Sequence, residues 1–153
     1  MNIPKSNLLL ICVAFALMLL TSLIINATLM YFFNVDLPDY AGYSKYNKDV
    51  LYLLFKILLA PILETLLSQK LSYELFLFIT KKSQASIFLS SMLFGLMHYS
   101  SVHHMFIAFI FGLILGNCYV ISLNKNNKTA FWNTCAVHSL WNLFSSCIIL
   151  LFN

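Results

Sequence analysis

Glu64 stands in an unbroken apolar context, Leu58-Leu59-Ala60-Pro61-Ile62-Leu63-Glu64-Thr65-Leu66-Leu67. A carboxylate in hydrocarbon costs a few kcal/mol, about 3, unless it is partnered or faces water, so an intramembrane glutamate reads first as a functional group. Two histidines share its situation. His98 closes Phe94-Gly-Leu-Met-His98, and His138 opens His138-Ser-Leu-Trp-Asn142, each in an apolar stretch. Three ionisable groups in hydrocarbon suggest one shared polar site. A carboxylate in an apolar site can take a proton from water and later return it. An imidazole N–H and an asparagine amide suit the oxyanion of a tetrahedral intermediate. Glu64, His98 and His138 are also zinc-ligand types, although the short-range HExxH pattern is missing. The structural alternatives are polar side chains bonding helix to helix, or a proton relay or small transporter.

The composition says what must hold these groups in place. The 153 residues are 61% hydrophobic and 9% charged, with a net charge of +4. Such a chain is an integral membrane protein, not a soluble domain. At about 20 residues per span it has room for about four or five helices in one domain. The nine positive charges are all lysines, and they mark segment edges without forming one basic face, which disfavours nucleic-acid binding. Cys12, Cys118, Cys135 and Cys147 lack metal-type spacing and read as reduced core residues.

The sequence predicts an all-α, polytopic transmembrane helix bundle. Residues 1–33 form an N-terminal transmembrane helix, too long for a cleaved signal core, and 34–49 a polar extracytoplasmic loop. Residues 50–153 form the helical core. Its first helix, about 50–79, exceeds the bilayer thickness and carries Glu64, Lys70 and Glu74. Thr80-Lys81-Lys82-Ser83 is a turn, with Ser83 as N-cap of a helix to about Tyr99. A helix over about 102–123 carries Gly112 and Gly116 at small-xxx-small spacing, a face for close helix approach. Asn124 to Thr129 is a polar loop, and the last helix covers about 130–151. Lys56 is expected to snorkel outward. His103 and His104 are expected at the interface, with Trp132 and Trp141 as interface anchors or core.

Lys5, Lys70, Lys81, Lys82, Lys125 and Lys128 mark one side, which the positive-inside rule makes cytoplasmic, the amino end included. Glu64 lies 17 positions before Lys81 and His98 lies 16 after Lys82. An antiparallel hairpin closed by that turn therefore sets them level, about 25 Å from it. This height match requires the turn near Tyr99 to lie inside the membrane or the helices to tilt. His138, about 12 Å into its helix, joins the same plane near the cytoplasmic side, with Asn142 one turn on along the same face.

Ala60-Pro61-Ile62-Leu63-Glu64, Phe94-x-x-x-His98 and His138-x-x-x-Asn142, in this order, resemble the CPBP intramembrane proteases, which include CAAX prenyl endopeptidases and bacteriocin-processing or self-immunity proteins. The resemblance covers about residues 51–151. It departs from the family pattern in the first motif. There a second glutamate and an arginine four positions later give way to Thr65 and Gln69, two neutral groups one turn apart that are expected to hydrogen-bond. The resemblance implies a water held between Glu64 and His98, with Glu64 as general base and His138 and Asn142 on the oxyanion, in a cavity open to the cytoplasmic side. No cofactor is expected, zinc being the alternative. The implied partners are the bilayer and a peptide or membrane-protein substrate, either prenylated or a bacteriocin precursor, in a bacterial plasma membrane. A non-catalytic immunity or partner-binding role on the same fold is the competing expectation.

Overall fold

The computed structural model describes residues 5–33, 49–125 and 127–152. These form five helices, with no strand among the described residues. α1 is Lys5–Phe33, α2 Val50–Thr80, α3 Ser83–Met97, α4 Val102–Lys125 and α5 Asn127–Phe152. All but α3 are long and apolar enough to cross a membrane. The loop expected at 34–49 lies outside the described residues except for Asp49, whose carboxylate caps α2 by accepting from the Leu51 N–H at 2.9 Å.

The turn between α2 and α3 forms as expected, with Lys81 in the left-handed region at φ 57°. The cap does not. Lys82 occupies the N-cap position without a side-chain bond, and Ser83, one residue inside the helix, instead pairs its hydroxyl with Tyr73 Oη of α2 at 3.1 Å. α3 also ends two residues early, at Met97, with His98 as its C-cap. The loop expected at Asn124–Thr129 is a second correction. α4 runs to Lys125 and α5 begins at Asn127, so only residue 126 separates them. Polar residues end a helix without needing a long loop, and here Thr129 accepts a bond from Asn7 of α1 at 3.4 Å.

α3 and α4 pack on small residues, as the glycine spacing implies. A Cβ at Gly112 would lie 3.0 Å from Ser91, and one at Gly116 3.0 Å from Ile87. Ser86, Ser90 and Ser91 are fully buried on the α3 face. The hydroxyls of Ser90 and Ser91 donate to the Ile87 carbonyl, so their burial leaves no unpaired donor. Ile11, Ala14 and Met18 of α1 close the core against Phe111, Leu115 and Val137. Leucines such as Leu23, Leu58, Leu71 and Leu75 face outward, on the surface a bilayer covers.

α2 is continuous but not uniform. Phe55–Leu59 and Thr65–Leu71 are π-helical, flanking the α-turn that carries Pro61 and Glu64. Stretches of this kind occur disproportionately at functional sites.

Candidate active site

Pro61 has no N–H, and the Ala60 N–H reaches back five residues to the Phe55 carbonyl. The Lys56 carbonyl therefore loses both its α-type donor at 60 and its π-type donor at 61. The Asn142 side-chain amide fills the gap, donating to that carbonyl at 2.8 Å. This bond ties α5 to α2 two turns before Glu64 and fixes how α2 presents its carboxylate.

On α3, His98 sits where the helix stops. Its Nδ1 lies 2.8 Å from the Phe94 carbonyl, which can only accept, so Nδ1 carries the proton. In the neutral ring Nε2 then offers a lone pair, and it lies 3.7 Å from Glu64 Oε2. On α5, His138 Nε2 lies 3.5 Å from the same oxygen, while its buried Nδ1 has no partner. With no acceptor at Nδ1, the proton belongs on Nε2, facing the carboxylate. The Phe94 ring packs between the two imidazoles, at centroid distances of 4.6 Å to His98 and 5.6 Å to His138.

The structure thus brings Glu64, His98, His138, Asn142 and Phe94 to one cavity of about 440 Å³. Its wetter and drier sides differ: the Glu64 and His98 side chains are 27% and 20% exposed, His138 only 5%. Among the described residues, no group of three histidine, cysteine, aspartate or glutamate side chains is arranged to hold a metal ion.

Thr65 and Gln69 are not part of this cavity, and their expected mutual bond is absent. Both are fully buried, and both amide atoms of Gln69 lack hydrogen-bond partners. The π-helical stretch changes the relative rotation of the two positions, and Gln69 Oε1 instead lies 3.2 Å from where a Gly116 Cβ would stand.

Lys56, expected to point outward, lines the cavity together with His103 and His104. Ser100 Oγ and His104 Nδ1 are 2.7 Å apart, and the His104 ring stands edge-on to His98 at 5.1 Å. A sequence signal existed for Lys56, which precedes Glu64 by eight residues and so shares its face. Trp141 packs in the core against Phe111 at 4.6 Å, whereas Trp132 is exposed.

The expected opening toward the lysine-bearing ends is a further correction. α5 begins at Asn127, so His138 lies about 16 Å into it. Beyond the Glu64 level the lining comes from residues such as Asn26, Tyr52, Ser101 and Ser145, in the helix halves remote from those lysines.

Fold and site together define a polytopic membrane protein with a carboxylate and two imidazoles gathered inside the helix bundle. The chain belongs to the Rce1-like family of type II CAAX prenyl endopeptidases, which it matches over residues 46–144. That match takes in α2, α3, α4 and α5 as far as Phe144, with every candidate residue above. No curated protein and no solved structure matches the chain. At family level it is a CAAX-type intramembrane protease, and its long apolar helices make it an integral membrane protein.

Proposed function

We propose that the protein is an intramembrane endopeptidase that hydrolyses a peptide bond with a water activated by Glu64. The observation that carries this reading is the position of Glu64 Oε2, 3.7 Å from the unprotonated His98 Nε2 and 3.5 Å from His138 Nε2. The first separation is too long for a direct hydrogen bond and suits a shared water. Such a water donates one hydrogen to the carboxylate and one to His98 Nε2. Its lone pair is then free to attack the carbonyl carbon.

Attack forms the C–O bond and moves the carbonyl π electrons onto oxygen, while Glu64 takes the water proton. The oxyanion accepts from His138 Nε2–H and from the second N–H of the Asn142 amide, the first being held by Lys56. Collapse re-forms the carbonyl, breaks the C–N bond and passes the proton from Glu64 to the leaving amine. Fixed donors in a low-dielectric site need no reorganisation as charge develops. Phe94 holds both rings in place without entering the chemistry.

No step requires a metal, and chelators are expected to leave the rate unchanged; loss of activity on chelation and recovery with zinc would replace this scheme with one in which Glu64, His98 and His138 are ligands. The substrate is a peptide or membrane protein. The test compares membrane-protein termini by mass spectrometry in cells carrying the wild type or Glu64→Gln at equal levels. Wild-type-dependent new termini are expected. Identical sets of termini in the two strains, with none specific to the wild type, would point to a partner-binding role instead.

A further inference from the structure

Lys56 lines the cavity without an anion to meet. Among the described lining residues the only carboxylate is Glu64, eight positions further along α2, or about 12 Å. That carboxylate faces His98 and His138. Among the described residues no carboxylate lies within 4.0 Å of the Lys56 ammonium. A cation inside a helix bundle is costly without a partner, so an unpaired one marks a place where a ligand supplies the missing charge.

Two more polar groups of the same cavity are incomplete. His103 Nε2 and Asn26 Oδ1 are buried and have no hydrogen-bond partner. The Asn26 amide N–H donates to Ser22 Oγ at 3.2 Å, which leaves its carbonyl oxygen as a spare acceptor. His104 lies within electrostatic reach of Lys56, His103 and His98, and its ring stands 5.1 Å from that of His98. The cavity therefore carries a basic group of Lys56, His103 and His104, joined through His104 to the reacting centre.

The spacing suits a peptide. An extended chain rises about 3.3 Å per residue, so one lying along α2 from Glu64 reaches the level of Lys56 in roughly three to four residues. Its backbone N–H groups need acceptors where water is excluded, and Asn26 Oδ1 is one. The anions of an unmodified polypeptide are carboxylates, on acidic side chains and at the chain end.

We propose that Lys56, with His103 and His104 beside it, is an anion subsite that takes a carboxylate of the bound peptide a few residues from the scissile bond, and so helps to set which peptides are cut. Calling the ligand a substrate rests on the endopeptidase reading. The subsite itself rests on Lys56 and its surroundings. An acidic side chain and a chain terminus offer the same charge-assisted bond to the ammonium.

Binding to full-length Glu64→Gln in nanodiscs tests the subsite without cleavage. The probes are three dansylated leucine tetrapeptides: one with a free C-terminal carboxylate, one amidated at that end, and one amidated with aspartate as its last residue. Each is read by energy transfer from tryptophan, since Trp141 lines the cavity, with empty nanodiscs as the blank. At least one of the two acids should bind about tenfold or more tighter than the uncharged amide, the worth of a hydrogen bond to a charged group. Lys56→Met, added to Glu64→Gln, should abolish that preference and leave the affinity for the amide unchanged. Lys56→Arg keeps the charge and should keep the preference. Tighter binding of the free terminus alone places a chain end at Lys56, and tighter binding of the aspartate peptide places a side chain there; both support the subsite. Equal binding of acids and amide, absence of binding included, would overturn the proposal. So would an acid preference that survives Lys56→Met. Because the readout is binding, retained cleavage by Glu64→Gln would remove the general-base reading and leave the acid preference intact, whereas loss of the preference would leave the cleavage reading intact.

Discussion

The Asn142 amide donates to the Lys56 carbonyl at 2.8 Å, supplying the hydrogen bond that Pro61 withholds. A residue expected to serve the oxyanion therefore also anchors the helix that carries the general base. Leaving that carbonyl unpaired costs about 1–3 kcal/mol, so Asn142→Ala should lower stability by that amount as well as activity. Pro61→Ala returns an N–H to the helix. In that background the Asn142→Ala stability cost should shrink by about 1 kcal/mol, read as the coupling in a double-mutant cycle of unfolding. Strict additivity would show that the two positions do not share an acceptor.

Phe94 touches both imidazoles by its ring and one by its carbonyl. Phe94→Leu keeps the carbonyl and removes the ring. Aromatic contacts are worth about 0.5–1.5 kcal/mol each, so misplacing the two rings should lower kcat about tenfold. KM should change little, because Phe94 is not assigned to substrate. A rise in KM with kcat intact would assign it to substrate binding.

Gln69 is buried beside Gly116 with both amide atoms unpaired. Gln69→Met keeps the volume and removes the unmet polar groups, so thermal unfolding in detergent should show stabilisation of about 1–2 kcal/mol. Gly116→Ala should do the opposite. Its methyl would meet Ile87 at 3.0 Å and Gln69 Oε1 at 3.2 Å, an overpacking cost of about 1–3 kcal/mol.

Gln69→Arg alone places an uncompensated charge in the same position and should destabilise by about 3–5 kcal/mol. Adding Thr65→Glu supplies a partner and should recover most of that loss. The comparison measures whether the neutral pair has replaced a charged one without other change nearby. If the double variant is no more stable than Gln69→Arg, the surrounding helices have adapted to Thr65 and Gln69.

The convergence of Glu64, His98 and His138 was legible because ionisable groups are costly in hydrocarbon and helix rise is regular. Counting from the Lys81-Lys82 turn put Glu64 and His98 level, and their side chains meet at 3.7 Å. What escaped the sequence came from departures from that regularity. The π-helical stretches on either side of Glu64 shift the face of every residue around them, which is why Thr65 and Gln69 do not pair. Lys56 lines the cavity on the face it shares with Glu64, eight residues on, a spacing that outweighs the tendency of a lone lysine to snorkel outward. The extent of the cavity beyond Glu64 depends on α3 ending at Met97, two residues before the expected boundary, and on all five helices together.

The central claim is that Glu64 takes the proton from the attacking water, and Glu64→Gln tests it with the least change of shape. The purified proteins, reconstituted in nanodiscs, would be compared on a peptide identified from wild-type-dependent termini. Glu64→Gln is expected to lose about 10²- to 10⁴-fold in kcat, the usual worth of a general base, with folding unchanged. Cleavage by Glu64→Gln at a rate near that of the wild type would contradict it.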